Sequence, residues 1–346
     1  MWAGRKNVKT RKFVIPEPGV IQLVEEEMDE SLKSRQALVR AEYSVVSAGT
    51  EGAGFTGLVE EMPFGRGGTY PRETGYGHLG EVLAVGDGVT MCKPGDRVLS
   101  FSRHASVTKA NVERMALPVP KEAEGKHLVF ARMAGVSISS LRSSSVQPGD
   151  TVLVIGMGLV GNFAAQLFQL AGADVIVADL SDLRLEKARE CGISRTVNSG
   201  TEDLEDAVMK WTDDKGVRIA VEAIGISQVI NQAVMLTQRY GEVILLGSPR
   251  APARIDVTPM LLRIHLEAIR MIGSLEWRWP IHEADRVRDI TSNYRQIVNW
   301  ITEGRLIVEP LLTHLASPED CQMIYEGLTQ KKEQYMAAVF DWSLLD

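Results

Sequence analysis

The hexamer Gly156-Met157-Gly158-Leu159-Val160-Gly161 places three glycines at the spacing that cradles a pyrophosphate. It follows an apolar run, Thr151–Ile155, and opens a stretch of helical periodicity, Leu159–Ala171. In that position Gly156 permits a tight turn, Gly158 lets the backbone approach a phosphate, and Gly161 lets helix and strand pack closely. Leu159 and Val160 then stand at a helix N-terminus, where unpaired N–H groups and a partial positive charge suit an anion. Asp179 ends the next apolar run, 18 residues beyond Gly161. A carboxylate there accepts hydrogen bonds from ribose hydroxyls and repels a 2′-phosphate, so the spacing points to NAD rather than NADP. Leu180 and Arg184 follow, and Gly247 closes a later strand; they complete the expected cofactor set, with Arg184 leaving room for some NADP.

The elements that must position this turn alternate between two periods. Thr151–Ile155, Asp174–Ala178, Val217–Glu222, Gly241–Leu246 and Arg270–Ile272 read as strands. Helical segments lie between them, among them Leu183–Cys191 ended by Gly192. Such alternation predicts a doubly wound parallel sheet. The first ~120 residues instead read as β-rich: Gln36–Val46 and Gly80–Val85 are bounded by Gly, Pro and Asp, and Cys92–Val98 is a turn feeding a strand. Glycines crowd residues 49–88, which predicts loops and tight turns near a site. Beyond residue 290 come helices at Tyr294–Glu303 and Pro318–Lys331 and a final strand, Tyr335–Asp341, able to rejoin the N-terminal part.

Length and composition agree with this layout. The 346 residues are enough for two domains, each with its own core. A net charge of −7 with scattered basic residues argues against nucleic acid as a partner. No stretch approaches ~18 uninterrupted apolar residues, so no membrane span is expected. Met1–Lys12 lacks the apolar core of a signal peptide, and three distant cysteines, Cys92, Cys191 and Cys321, argue for a reducing, cytoplasmic setting.

Taken together, these residues resemble the medium-chain dehydrogenase/reductase superfamily of the zinc alcohol dehydrogenase type, over nearly the whole chain. Gly75–Val82 with Lys93-Pro94-Gly95-Asp96-Arg97-Val98 is similar to the family's GHExxGxV and PGDRV segments, and Val146–Val154 to its lead into the first nucleotide-domain strand. The resemblance implies an α/β fold with a GroES-like β-rich catalytic domain (1–122 and 291–346) and an inserted Rossmann domain (123–290). It also implies a homodimer that pairs through the nucleotide domain's edge, near Arg239–Pro249 and Arg270–Leu275.

The departures from that family concern its metal. Alanine, Ala48, stands where the first zinc cysteine belongs, Tyr76 and Gly77 replace histidine and glutamate, and Met133 replaces the last catalytic cysteine. The four-cysteine structural lobe is absent as well. Zinc needs three or four converging N, S or O donors, so the expectation is NAD-dependent chemistry without zinc. The Ser47-Ala48-Gly49-Thr50-Glu51 motif resembles a zinc-free branch that includes bacteriochlorophyllide hydroxyethyl dehydrogenase-like proteins. His78 and His104 are donors elsewhere, more consistent with structural histidines than with ligands.

Without a metal, a hydrogen-bond donor or a general base must manage the alcohol proton. The resemblance places Thr50, Tyr76 and Ser137 near the missing metal. Tyr76 is suited to donate to a carbonyl or, with a depressed pKa, to take a proton; no lysine lies near it in sequence to depress it. Thr50 is suited to relay a proton. Glu51 is either a base or half of an ion pair that holds the loop. His104 either faces substrate or is a hydrogen-bonded core residue. In the family the loop Gly273–Pro280 borders the substrate. Glu276 and Trp277 there, with Trp279, form either a sugar-recognising platform or a packing contact. Arg66, Arg72 and Glu73 are further candidates for a polar ligand. The leading expectation is a secondary-alcohol dehydrogenase acting on a polar substrate such as a sugar or cyclitol. The alternatives are an NAD(P)H-dependent quinone or enoyl reductase and a non-catalytic dinucleotide-binding protein.

Overall fold

Alternate side chains of Thr151–Ile155 feed two different cores. Val152 and Val154 join one buried cluster, and Leu153 and Ile155 join another. A strand covered on both faces behaves this way, and each fully buried valine or isoleucine contributes about 1.5–3 kcal/mol. The computed structural model describes residues 7–61, 68–250, 253–279 and 289–345. It divides into two compact units, residues 133–278 with 304–311, and residues 1–132 with 279–303 and 312–346. The expected boundaries at 122 and 290 lie within about a dozen residues of these.

The first of these units is built on six parallel strands: β1 (Thr151–Ile155), β2 (Asp174–Asp179), β3 (Arg195–Asn198), β4 (Val217–Glu222), β5 (Thr237–Leu245) and β6 (Arg270–Gly273). Their order is β3-β2-β1-β4-β5-β6, the doubly wound Rossmann arrangement. Chain direction reverses its march across the sheet at β1, so a crevice opens beyond the carboxyl ends of β1 and β4. The helix after β1 spans Leu159–Leu170, as its periodicity predicts.

The other unit is β-rich. Gln36–Val45 lies at its centre, pairing antiparallel with His78–Val85, Val107–Asn111 and the C-terminal strand Ala338–Asp341. The tail therefore completes a sheet begun by the N-terminal part. Two elements depart from the sequence reading. Asn7–Glu17 and Val20–Asp29 form an antiparallel hairpin in a highly charged segment, because only alternate residues such as Phe13 and Ile15 are buried while ion pairs such as Lys9–Glu25 line the wet face. The glycine-rich stretch contains a helix, Ala48–Phe55, rather than loop alone. Burial of Glu51 and Phe55 there overrides the poor helix propensity of its glycines. All three cysteines are free and buried. Among the described residues, no helix is long and apolar enough to cross a membrane.

Candidate active site and cofactor cradle

The glycine turn closes β1. Gly156 has φ +99°, a conformation that favours glycine, and a Cβ at Gly161 would lie 1.7 Å from the Gly156 carbonyl oxygen. Gly158 is different. It caps the Leu159–Leu170 helix, and a Cβ there would meet nothing within 4 Å. Its bare face is open space beside the N–H groups of Leu159, Val160 and Gly161, which precede the first intrahelical donor, Asn162 N. This is the geometry of a phosphate cradle.

Asp179 ends β2 and is 7% exposed. Its carboxylate accepts from Met157 N at 2.6 Å and Ser181 N at 2.9 Å, tying the glycine turn to the neighbouring strand. Arg184 Nη1 lies 3.5 Å from the same carboxylate, and Leu180 is exposed beside it. Gly247 donates its N–H to the Glu222 carbonyl at 2.8 Å. A Cβ on Gly247 would stand 2.2 Å from Gly225 N, so the chain crosses itself there.

Glu222 escaped the sequence reading. It ends β4 opposite Ile155 of β1 and is fully buried. Its Oε1 accepts from Ile224 N and Gly225 N, while Oε2 has no hydrogen-bond partner among the described residues. Burial pushes this carboxyl above the usual range against those backbone bonds. The signal available was a carboxylate directly after the apolar run Ile219-Ala220-Val221.

In the β-rich unit a polar cluster forms around Glu51, which is 4% exposed. Ser47 caps the Ala48–Phe55 helix, and its N–H donates to Glu51 Oε1 at 2.8 Å. Oε2 takes Thr74 Oγ1 at 2.8 Å, His104 Nε2 at 2.9 Å and the Tyr325 hydroxyl. Burial pushes the Glu51 carboxyl up, but His104 and these donors hold it below the ordinary value. His104 Nδ1 lies 2.7 Å from Ser44 Oγ, which also accepts from Trp342 Nε1 at 2.9 Å. Glu51 and His104 therefore satisfy each other beneath the surface.

Tyr76 is partly exposed, and its hydroxyl donates to Ser47 Oγ. Thr50, on the exposed side of the same helix, also hydrogen-bonds Tyr76. Burial pushes the Tyr76 phenol up; Arg132, Ser47 and Thr50 draw it back. Ser137 instead donates to carbonyls within the other unit, Val160 O at 2.7 Å and Met133 O at 3.1 Å. His78 is fully buried with Nε2 3.3 Å from Ala105 O, and burial lowers its pKa to about 4.

The substrate candidates are divided. Arg72 lies in the β-rich unit, its guanidinium against Gly54, with Nη1 buried and without a hydrogen-bond partner among the described residues. Glu276 and Trp277 belong to a short turn of the nucleotide unit, the first buried and the second 45% exposed. Arg66 and Pro280 lie outside the described residues. Among the described residues, no group of three or more His, Cys, Asp and Glu is arranged to hold a metal ion.

A Rossmann sheet with a glycine cradle and a GroES-like β-rich unit are the two parts of a dehydrogenase fold. The zinc-binding dehydrogenase family matches residues 160–287. The chain is 24% identical to the zinc-type alcohol dehydrogenase-like protein YdjJ of Escherichia coli K12, over 96% of this chain and 99% of that one. Sorbitol dehydrogenase 1 of Saccharomyces cerevisiae is 24% identical over 74% of this chain and 78% of its own. Among solved structures, galactitol-1-phosphate dehydrogenase of Escherichia coli superimposes with a TM-score of 0.80 at 18% identity, covering 96% and 99% of the two chains. Over nearly its whole length the chain is thus similar to zinc-type alcohol dehydrogenase-like proteins, and residues 160–287 match the zinc-binding dehydrogenase family.

Proposed function

We propose that this protein is an NAD-dependent oxidoreductase that interconverts a secondary alcohol and a ketone on a polar, polyol-like substrate without catalytic zinc. The observation that carries the reading is the open cradle at Gly158 held to Asp179 through Met157 N–H. Those residues fit a dinucleotide: the Leu159–Leu170 helix N-terminus would hold its diphosphate, and Asp179 would meet the adenosine ribose. When bound, the nicotinamide supplies the hydride acceptor or donor.

The residues present do not fit zinc. Ala48 and Gly77 offer no side-chain donor, and the Tyr76 hydroxyl is engaged by Ser47. The Arg132 guanidinium stands 4.5 Å from the Tyr76 ring centroid, and a fixed cation there opposes a dication. Proton handling falls to hydroxyls, with Tyr76 and the exposed Thr50 as the reachable pair. Glu51 and His104 then act as positioning residues that hold Ser47 and its helix. Relatives named for sorbitol and galactitol-1-phosphate support a polyol-like substrate, and Arg72 and the exposed Trp277 are the candidates to recognise it.

The same reading extends to assembly as a homodimer. β6 is an edge strand, and the neighbouring Thr258–Glu267 helix buries none of its residues. Leu261, Leu262, Leu266, Met271 and Leu275 are exposed in this region, and such an apolar edge calls for a partner.

The test is calorimetric titration with NAD and NADP, metal analysis, and a polyol and sugar panel followed at the nicotinamide absorbance. Tighter NAD binding, substoichiometric zinc and turnover of a polyol are expected. Deuterium delivered to an alkene carbon, or stoichiometric zinc required for turnover, overturns the corresponding part. Light scattering reads the dimer, which Leu262→Glu with Leu266→Glu would convert to monomer.

A further inference from the structure

Arg132 is the second residue of the Ala131–Ser143 helix and only 3% exposed. Its guanidinium carbon lies 4.5 Å from the centroid of the Tyr76 ring and 4.4 Å from that of Phe101. Nε donates to the Tyr76 carbonyl at 3.1 Å. Nη1 donates to the Tyr294 hydroxyl, which in turn donates to the Arg132 carbonyl at 3.3 Å. Tyr294 thus grips both ends of this residue, and the cation is fixed in position. Guanidinium does not deprotonate in proteins, so the charge beside Tyr76 is permanent. A cation over an aromatic face is attracted by its π density, and a phenolate ring presents more of it than a phenol.

We propose that Tyr76 and Arg132 form one acid–base unit, in which Tyr76 Oη exchanges the proton of the substrate oxygen and Arg132 is the positioning residue whose cation favours the phenolate. The proposal rests on the oxidoreductase reading above. In the oxidative direction the substrate O–H bond breaks and its proton forms the Tyr76 phenol. A bound nicotinamide would supply the acceptor for the carbinol hydrogen and its electron pair, as the C–O bond becomes C=O. The phenol returns its proton to water through Thr50, which is exposed and hydrogen-bonded to it. Burial holds the Tyr76 phenol above its ordinary value on balance, so the work of favouring ionisation falls to Arg132, while Glu51 on the Ala48–Phe55 helix opposes it. The Glu51 carboxylate already faces His104, Thr74 and Tyr325, which blunts that opposition.

Tyrosinate absorbance titration of the full chain reads this without a substrate. The protein has 7 tyrosines, and the difference between wild type and Tyr76→Phe isolates one. Arg132→Met is expected to raise the Tyr76 midpoint by about one pH unit or more, as loss of an opposite charge at 4–6 Å does. Arg132→Gln, which keeps donors without charge, carries the same expectation where the methionine variant does not fold. Arg132→Lys is expected to restore the wild-type midpoint. An unchanged midpoint in a folded Met or Gln variant overturns the proposal, and so does failure of lysine to restore it. With a turned-over polyol in hand, Tyr76→Phe should lower kcat by about 10²-fold or more. Absence of any alcohol turnover by wild type defeats the oxidoreductase reading instead, while the titration still reports whether the two residues are coupled.

Discussion

His104 Nε2 lies 2.9 Å from Glu51 Oε2, and both side chains are shut away from water. Removing one member of a buried, hydrogen-bonded pair strands the other, which costs about 3 kcal/mol or more. Glu51→Gln is therefore expected to lower the unfolding free energy by about that amount in urea titrations at pH 7. Its carboxyl is held below its ordinary value, so its contribution is complete above about pH 4.5 and is lost as pH falls through the depressed folded value. The wild-type stability curve should fall in that acid range and the Glu51→Gln curve should fall less steeply.

His78 predicts a separate, earlier acid loss. Burial lowers its pKa from 6.5 to about 4, so the unfolded chain binds a proton there that the folded chain refuses. Stability is complete above about pH 6.5 and drains away down to about pH 4, by about 3 kcal/mol in all. His78→Gln should abolish the slope in this window, whatever it does to stability at pH 7.

The two glycines of the cradle should separate folding from binding. Gly161→Ala drives a methyl into the Gly156 carbonyl, 1.7 Å away, and should lower the melting temperature along with dinucleotide affinity. Gly158→Ala meets no protein atom within 4 Å and should leave the melting temperature unchanged. Its methyl projects toward the phosphates, so NAD affinity should still fall tenfold or more by roughly the cost of one lost charge-assisted hydrogen bond. Equal NAD affinity for Gly158→Ala and wild type would show that the cradle does not hold the diphosphate.

The proposed preference for NAD rests on Asp179 and should be invertible. Asp179→Ser removes the charge that repels a 2′-phosphate and releases Arg184, now 3.5 Å from that carboxylate, to meet it. The ratio of NADP to NAD dissociation constants should move toward NADP by about tenfold or more, corresponding to ~1.4 kcal/mol. A ratio that stays put places the ribose elsewhere.

The cradle was legible in the sequence because its parts are local. Gly156, Gly158 and Gly161 act through backbone sterics over six residues, and Asp179 sits one helix and one strand away at a spacing set by those elements. Apolar runs with period-two or helical spacing announce which segments are buried, and their alternation announces the parallel sheet, while the strand order came only from the fold. The charged hairpin Asn7–Asp29 was hidden because its wet face outnumbers its buried one.

The partners of Tyr76 and Glu51 were decided only by tertiary structure. Tyr76 has no lysine near it in sequence, yet the fold brings Arg132 over its ring. Glu51 gathers Thr74, His104 and Tyr325 from three distant segments. Periodicity specifies which side of an element turns inward, but hydrogen-bond partners and charges are chosen by which inward faces meet. That meeting made Glu51 and His104 each other's partners and left Tyr76 and Thr50 at the surface.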